Sequence, residues 1–267
     1  MKPHQNHPHQ LEQVLAALNS SYRIEHIYLN AYSEDGVPYQ LVILLCNKYI
    51  KYLGELVPQI TNTIRAFNEY KVMCYIAFQA KDKIRQGNLF LYASCQPHKL
   101  VYQKENSDFV LLPGNMEPKQ CLALAVELRK REQEKILDFK AGYYHFKAQG
   151  RLAIASFLLH QVFELTYRYL ELLLTAKERI SHSIRVHHII LKDQCALYSG
   201  VFDEDEESDI DLFKTLEAIY RATRYEDGFY ISPETLQQLE QKMECLCENE
   251  QRIVKQVVNA FEGGGSW

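Results

Sequence analysis

The sequence lacks any apolar run long enough to cross a membrane. An uninterrupted apolar stretch such as Leu41–Cys46 has six residues, far short of the roughly 20 that a membrane-spanning helix needs. The first residues, Met1–His9, are polar and lack the apolar segment of a secretory signal. We therefore predict a soluble, cytoplasmic protein.

Paired cysteines and an excess of positive charge are also missing. The seven cysteines form no CxxC pair, and Cys245 and Cys247 lie two apart on a predicted helix, where they point in different directions. This pattern favours reduced thiols over a disulfide framework. A net charge of -4 argues against a dedicated, sequence-tolerant nucleic-acid binder. It does not exclude a local basic patch.

The common signatures of nucleotide and hydrolase chemistry are absent as well. The sequence contains no P-loop, no GxGxxG, no HExxH and no GxSxG. The acidic run Asp203–Asp211 has seven carboxylates but neither the spacing nor the glycine of an EF-hand loop. It is typical of a solvated, mobile loop. We expect no cofactor and no bound metal.

The sequence does contain enough apolar residues for a core, since they make up 47% of the chain. Its length of 267 residues suits two modest domains. Residues 1–10 are predicted to form a disordered tail, and residues 11–117 a small α/β domain with a turn at 33–38. Helices are predicted at 11–19 and 53–70, with a short helix ending at 84–87. Strands are predicted at 24–32, 39–46, 71–78, 89–94 and 100–104. The apolar run at 39–46 is typical of a strand buried on both faces.

Pro113, Gly114 and Pro118 mark a domain boundary, after which almost no strand pattern remains. Residues 118–262 are predicted to form an all-helical bundle of up-and-down type, and residues 263–267 a flexible tail. Ser232 followed by Pro233 is typical of a helix start. The five helices are predicted at 119–148, 151–176, 186–199, 210–224 and 233–261, with the acidic loop at 201–211. The fold class is thus α+β.

Three stretches of the helical half resemble a HEPN domain. In Phe157–Leu174 a His-Gln pair and a Glu one turn later interrupt an apolar helix, as in the second helix of that family. Ser183–Ile189 (SIRVHHI) resembles the loop before the third helix. Ile219–Ser232 (IYRATRYEDGFYIS) resembles the end of the fourth, where an Arg-Tyr precedes an acidic turn. The resemblance implies a helical bundle that pairs with a second copy.

In this family the N-terminal partner is often a minimal nucleotidyltransferase, and the upstream α/β domain has a similar element order. Active members place a Gly-Ser after the first strand and two carboxylates at alternate positions of the second, which hold Mg²⁺. Here the turn reads Asn30-Ala31-Tyr32-Ser33, and the strand Tyr39–Ile43 has no carboxylate. We read a nucleotidyltransferase-like domain without metal-dependent catalysis. An unrelated small α/β domain is the alternative.

Many HEPN domains are ribonucleases whose motif is an Arg followed, after four to six residues, by a His. His moves a proton and Arg stabilises charge on phosphate. No arginine of this chain has that spacing: after Arg179, for example, His182 comes too early and His187 too late. The sequence therefore predicts loss of the family's most common activity.

Three polar sets remain as candidates for binding a nucleotide or RNA phosphate. The first set, His160 and Glu164, lies on one face of the second bundle helix, because its two members are four residues apart, and Arg168 continues that face. The second set, Arg185 and His187, lies at a loop-to-helix junction, beside His188, where free backbone N–H groups attract anions. The third set, Arg221, Arg224 and Tyr225, lies on one face of the fourth bundle helix. In chain order the candidates are His160, Glu164, Arg185, His187, Arg221, Arg224 and Tyr225.

Two of the sets also have a structural interpretation. His160 and Glu164 together form a satisfied pair in the core, and Arg224 with Tyr225 caps and packs the helix end. If the three sets instead converge, they form a cationic pocket with aromatic walls. The first hypothesis is therefore a nucleotide- or RNA-binding HEPN-type protein, a homodimer without catalysis. The alternatives are a diverged ribonuclease, or another enzyme with rearranged ligands, and a purely structural or interaction protein.

Overall fold

The computed structural model describes residues 10–30, 39–107, 109–111, 116–194, 198, 201–203, 205–226 and 228–264. The turn at 33–38, most of the N-terminal tail and part of the C-terminal tail lie outside these residues. The chain divides into two compact units, one ending at Cys121 and the other running from Leu122 to Gly263. The α+β class is confirmed, since a small mixed sheet is followed by a mostly helical region.

The first unit contains a four-stranded sheet in the order β3-β2-β1-β4. β1 pairs antiparallel with β2 and β4, whereas β2 and β3 are parallel. The sheet is flanked by helices and two 3-10 turns. In chain order the elements are α1 Leu11–Ser21, β1 Ile24–Asn30, β2 Tyr39–Leu45, a 3-10 helix Asn47–Tyr52, α2 Leu53–Thr63, β3 Tyr70–Ile76, α3 Ala77–Arg85, α4 Leu89–Ser94, a 3-10 turn Pro97–Lys99 and β4 Leu100–Gln103.

Successive side chains of a strand point to opposite faces of the sheet, so the buried positions show which face holds the core. Ile27 and Ile43 are paired across β1 and β2 and belong to one buried cluster. Val14 and Leu18 of α1 belong to the same cluster, at the spacing that puts them on one helix face. The interior strand β2 is buried from Gln40 to Leu45, which confirms the prediction of a strand covered on both faces.

The predicted strand at 89–94 is wrong, because this segment is the helix α4. Its six residues are nearly all apolar, and such a short run does not distinguish a buried strand from a buried helix. The Asn88 side chain decides between them locally, since its Oδ1 accepts a hydrogen bond from the Leu91 amide at 2.9 Å. That contact is the N-cap that starts a helix.

The predicted strand at 71–78 also runs two residues too far. β3 ends at Ile76, and Ala77 and Phe78 already belong to α3. Ile76 offers no capping side chain. The cap comes from a distant residue, since Asn47 Oδ1 accepts a hydrogen bond from the Phe78 amide at 3.0 Å. A sequence window around residue 77 contains no sign of this contact.

The second unit holds the remaining helices. They are α5 Pro118–Ala148, whose first residues precede the division between the units, α6 Leu152–Thr175, α7 Ile184–Gln194, α8 Glu207–Tyr225 and α9 Pro233–Glu262. The apolar helix α6 packs against α7, α8 and α9. No described helix combines the length and the apolar character that crossing a bilayer requires.

The ends of these helices test the sequence predictions. Ser232 is the N-cap of α9, since its Oγ accepts a hydrogen bond from the Thr235 amide at 3.1 Å, and Pro233 follows it, as predicted. α7 begins at Ile184, two residues earlier than expected. The acidic loop is shorter than predicted, because α8 begins at Glu207. Acidic residues in the first turn of α8 interact favourably with the positive end of its helix dipole.

One member of the acidic run, Asp209, is less solvated than expected, with a side chain that is 13% exposed. Asp209 Oδ2 accepts a hydrogen bond from the Asp203 amide at 2.8 Å and forms an ion pair with Lys242 of α9. Burial opposes its ionisation, but the amide and the ammonium outweigh burial and lower the pKa of Asp209. Part of the run is therefore a structural contact between α8 and α9.

Candidate functional site

Glu164 is the centre of the polar cluster on α6. Its side chain is 4% exposed, and a buried carboxylate requires partners. His182, in the segment between α6 and α7, places Nδ1 3.0 Å from Oε2 and 3.2 Å from Oε1. Gln161 Nε2 donates to Oε2 at 3.2 Å, and an Arg168 guanidinium nitrogen lies 3.7 Å from Oε1. Glu164 therefore has polar partners on three sides.

His182 is the functional candidate that sequence reasoning missed. Its side chain is 51% exposed although Nδ1 is engaged with Glu164. In the part of the chain that the structure describes, its Nε2 has no protein partner. The ring stacks on Tyr220 of α8, with centroids 4.0 Å apart and planes 14° from parallel. Because the His and the Tyr are 38 residues apart, no local spacing reveals this contact.

Tyr220 links the α6 cluster to the basic end of α8. The Arg224 guanidinium donates to the Tyr220 hydroxyl, and its carbon lies 5.1 Å from the Tyr220 ring centroid and 5.7 Å from that of Tyr225. Tyr225 is 72% exposed. The Arg221 side chain is 80% exposed and lies 4.0 Å from Glu226. This end of α8 presents cations and aromatic rings to solvent.

His160 lies on the inner side of this cluster. It is fully buried, 5.6 Å from the Tyr220 ring centroid, with Nδ1 4.0 Å from Glu164 Oε2. Burial lowers the pKa of His160 to about 4, against the opposite effect of the Glu164 and Glu217 carboxylates. The imidazole is therefore neutral at neutral pH. His160 is buried as the structural interpretation expects, but the pair is not satisfied, because no described residue is a hydrogen-bond partner of His160 Nε2 and the two side chains are 4.0 Å apart.

Arg185 and His187 do not offer the free helix amides that the sequence suggested, and that expectation is wrong. The Arg185 amide donates to Glu217 Oε2 at 2.9 Å, and the Val186 amide donates to Ser183 Oγ at 3.3 Å. The N-terminus of α7 is therefore already capped by a carboxylate and a hydroxyl. An anion at these amides would have to displace Glu217.

His187 belongs to a second, internal pair. Its ring is fully buried, with Nδ1 2.7 Å from Glu171 Oε1 and Nε2 3.0 Å from the Ser181 carbonyl. Burial alone would lower the pKa of His187, but the Glu171 carboxylate and the Ser181 carbonyl outweigh it and raise the pKa. The pair fixes the segment between α6 and α7 against α6.

His188 points into the core as well. Its Nδ1 lies 3.0 Å from the hydroxyl of Tyr167 and 3.0 Å from that of Tyr198, and the Tyr198 hydroxyl donates to that of Tyr167 at 2.7 Å. All three side chains are buried. This closed set of polar atoms satisfies itself, so it is a packing feature of α6 and α7.

The candidate residues thus separate into three groups. Arg224 and, from the inside, His160 contact Tyr220, and Glu164 is connected to it through His182, whereas His187 belongs to the separate Glu171 pair. The side chain of Arg185 and those of Arg221 and Tyr225 are exposed. We call His182, Tyr220 and Arg224, with the supporting Glu164, the Tyr220 cluster.

The first unit carries two buried amide side chains where the ends of β1 and β2 adjoin. Asn30 at the end of β1 is paired with Gln40 of β2 across the sheet, and both are buried. Lys99 Nζ donates to Asn30 Oδ1 and to the Ala93 carbonyl, each at 2.9 Å. Gln40 Nε2 contacts Met73 Sδ at 2.9 Å. Amide oxygens can ligate a divalent cation, but the Lys99 ammonium already occupies Asn30 Oδ1 and repels one.

Within the described residues, no group of three or more His, Cys, Asp and Glu side chains is arranged to hold a metal ion. Models of known protein families and the curated proteins were both compared with the chain, and neither comparison finds a match. The HEPN and nucleotidyltransferase-like resemblances therefore stay predictions, and the Tyr220 cluster has to be interpreted from its own chemistry.

Proposed function

We propose that the second unit is a HEPN-type module that binds the phosphate of a nucleotide or RNA at the Tyr220 cluster. The observation that carries this proposal is the exposed His182 imidazole, fixed by buried Glu164 through Nδ1 and stacked on Tyr220. A ring that is fixed through one nitrogen presents the other to a ligand at no further cost in side-chain entropy.

The charges around the ring are mixed. Arg168 lies 3.7 Å from Glu164 and 3.0 Å from the exposed Glu178, so one guanidinium partly offsets two carboxylates. Arg224 then supplies a guanidinium held beside the Tyr220 ring, the geometry that suits a phosphate with a neighbouring base or ribose. The exposed Tyr225 adds an aromatic face on which a base can stack.

Thermal unfolding with ATP, GTP and adenosine tests this proposal. A ligand present at about 100 times its Kd should stabilise the native state by about 2.7 kcal/mol. We expect ATP or GTP to raise Tm and adenosine to leave it unchanged, because the proposed contacts are to phosphate. Anisotropy with a labelled RNA covers the case in which a polymer is the ligand.

Arg224→Ala and His182→Ala should each weaken binding about tenfold or more, since charge-assisted hydrogen bonds contribute about 1.5–3 kcal/mol. Arg131→Ala is the matched control, because Arg131 is a 67%-exposed arginine of α5. A flat response to all nucleotides and to RNA would reject the proposal, as would equal losses in Arg131→Ala and Arg224→Ala.

The second candidate function is RNA cleavage by a diverged HEPN ribonuclease. The arrangement of Glu164 and His182 favours it, because a carboxylate on Nδ1 fixes the tautomer whose Nε2 accepts a proton. Cleavage of a labelled RNA in EDTA should then disappear in His182→Ala and fall strongly in Glu164→Gln. Cleavage that persists in both variants would place the activity elsewhere.

The proposal includes a homodimer formed through the helical unit. Val186 and Ile189 are three apart on α7, so they share a face, and they are 36% and 44% exposed. Ile180, just before α7, is 86% exposed. A second copy covering these aliphatic groups is the commonest way to remove them from water. Light scattering should show a particle with twice the mass of the chain. In Ile189→Lys the measured mass should fall to that of a single chain.

A further inference from the structure

A basic and aromatic surface in the first unit is separate from everything proposed above. It is built on the 3-10 helix Asn47–Tyr52 (sequence NKYIKY), which follows β2. Tyr52 and Phe78 are each 54% exposed and Ile50 is 49% exposed. Arg23, Lys48 and Lys51 are exposed too. We call Arg23, Lys48, Lys51, Tyr52 and Phe78 the Lys51 surface.

Two hydrogen bonds join the 3-10 helix to the distant segments that carry Arg23 and Phe78. The Arg23 amide, at the start of β1, donates to the Tyr49 hydroxyl at 3.3 Å. Lys48 Nζ lies 4.7 Å from the centroid of the Tyr49 ring. Asn47 Oδ1 caps α3 at the Phe78 amide. Since a 3-10 helix rises about 2 Å per residue, the Lys51 surface is centred on an element about 12 Å long.

The charge of this surface is positive, in contrast to the net charge of -4 of the chain. Among the described residues, no carboxylate lies within 4 Å of Arg23, Lys48 or Lys51. Glu55, in the first turn of α2, is a neighbouring acid in the sequence. The three cations are therefore available to an external anion rather than engaged in ion pairs of the fold.

From this combination we propose that the Lys51 surface binds single-stranded nucleic acid. Cations follow the phosphate backbone, and exposed rings stack on bases that are not paired. A duplex hides its base faces and would use the lysines alone. An acidic protein segment would also use the lysines but would gain no base stacking from Tyr52 or Phe78.

The test is fluorescence anisotropy of the full chain with a labelled single-stranded oligouridylate, the matching duplex and a labelled polyglutamate peptide. Tyr52→Ala should weaken oligouridylate binding on the order of tenfold, because a base stacked on an aromatic ring contributes about 1–3 kcal/mol. Tyr52→Phe keeps the ring and should bind nearly as the wild type does. Both changes are at an exposed side chain, so folding should be retained.

Salt dependence supplies a second readout. Single strands lose affinity with a slope of about 0.7 per neutralised phosphate in a plot of log K against log salt, so Lys48→Ala with Lys51→Ala should reduce the slope by about 1.4. Lys255→Ala, at an exposed lysine of α9, is the control and should change neither slope nor affinity. An unchanged slope in the double variant would overturn the proposal.

The same measurements separate this surface from the Tyr220 cluster. If oligouridylate binding is lost in Arg224→Ala and unchanged in Tyr52→Ala, the Lys51 surface is rejected while the proposed function stands. If Tyr52→Ala alone loses binding, the Lys51 surface stands and the RNA arm of the proposed function fails. Polyglutamate binding as tight as oligouridylate binding, with no effect of Tyr52→Ala, would assign the surface to a protein partner and reject the nucleic acid.

Discussion

Two carboxylates of α6, Glu164 and Glu171, lie seven residues apart, and each holds a histidine that follows the helix. The Glu171–His187 pair is fully closed: both side chains are at most 1% exposed and the second ring nitrogen contacts the Ser181 carbonyl. The Glu164–His182 pair is open, because the His182 side chain is 51% exposed. The two pairs have the same chemistry but different access to solvent.

This difference assigns them different roles. A closed pair contributes to folding and cannot meet a ligand, whereas an open pair contributes little to folding and leaves one nitrogen for a ligand. The sequence named His187 as a candidate and passed over His182. The spacing of residues in the sequence does not reveal burial, and burial makes His182 the better candidate of the two. Substitutions in and around the two pairs test how far this contrast holds.

The largest effect is expected from removing one partner of the closed pair. His187→Ala leaves Glu171 buried without a cation, which should lower the free energy of unfolding by about 3–5 kcal/mol. His182→Ala removes a half-exposed partner and should cost about 1 kcal/mol or less. Urea denaturation of both variants measures the difference. Equal losses would contradict the division into closed and open pairs.

A third imidazole, His160, should make the protein sensitive to acid. Its pKa is lowered from 6.5 to about 4 by burial, so the unfolded state takes up its proton first as the pH falls. The contribution of neutral His160 to the free energy of unfolding is complete above pH 6.5. It is lost as the pH falls towards about 4, by up to about 3 kcal/mol. His160→Gln should flatten that part of the stability profile.

The control for this measurement is His145→Gln, since His145 is an exposed histidine of α5. It should leave the acid limb of the profile unchanged. An undiminished acid slope in His160→Gln would show that other groups cause the acid sensitivity.

The closed pair should add a smaller pH dependence of opposite sign. Because the pKa of His187 is raised above 6.5, its contribution to stability is present below pH 6.5 and is lost as the pH rises through the raised pKa. The effect is smaller because burial and the Glu171 carboxylate act in opposite directions. Urea midpoints between about pH 6 and pH 9 should fall in the wild type, and the slope should be shallower in Glu171→Gln.

The smallest effect concerns the surroundings of the open pair. Arg168 forms a 3.0 Å ion pair with Glu178, whose side chain is 55% exposed. Glu178→Gln should cost about 0.5 kcal/mol in low salt and almost nothing at about 1 M salt. A loss as large as that of His187→Ala would mean that the segment between α6 and α7 depends on this contact as much as on the closed pair.

Much of the helical half could be predicted from the sequence because its information is local. Apolar periodicity placed α6 within one residue at each end, and Ser232 with Pro233 placed the start of α9. The first unit was harder. Leu89–Ser94 is too short and too apolar to reveal its type, and the cap of α3 comes from Asn47, some thirty residues earlier.

The candidate site shows the same limit. Spacing correctly put His160 and Glu164 on one face of α6 and Arg221 with Arg224 at the end of α8. It could not show that His182 and Tyr220 stack at 4.0 Å, because that contact joins residues 38 apart. It also could not show that Glu217 already occupies the start of α7.

Local sequence patterns placed both ends of α5, α6 and α9 to within one residue, and the composition of β2 showed that this strand carries no carboxylate. Both depend on interactions within a few residues, or on composition alone. Packing decided which histidine is open and which is closed, and which cations and rings of the first unit stay exposed. Burial and long-range contact are properties of the packed chain, so the Glu164–His182 and Glu171–His187 pairs acquire their different roles only on folding.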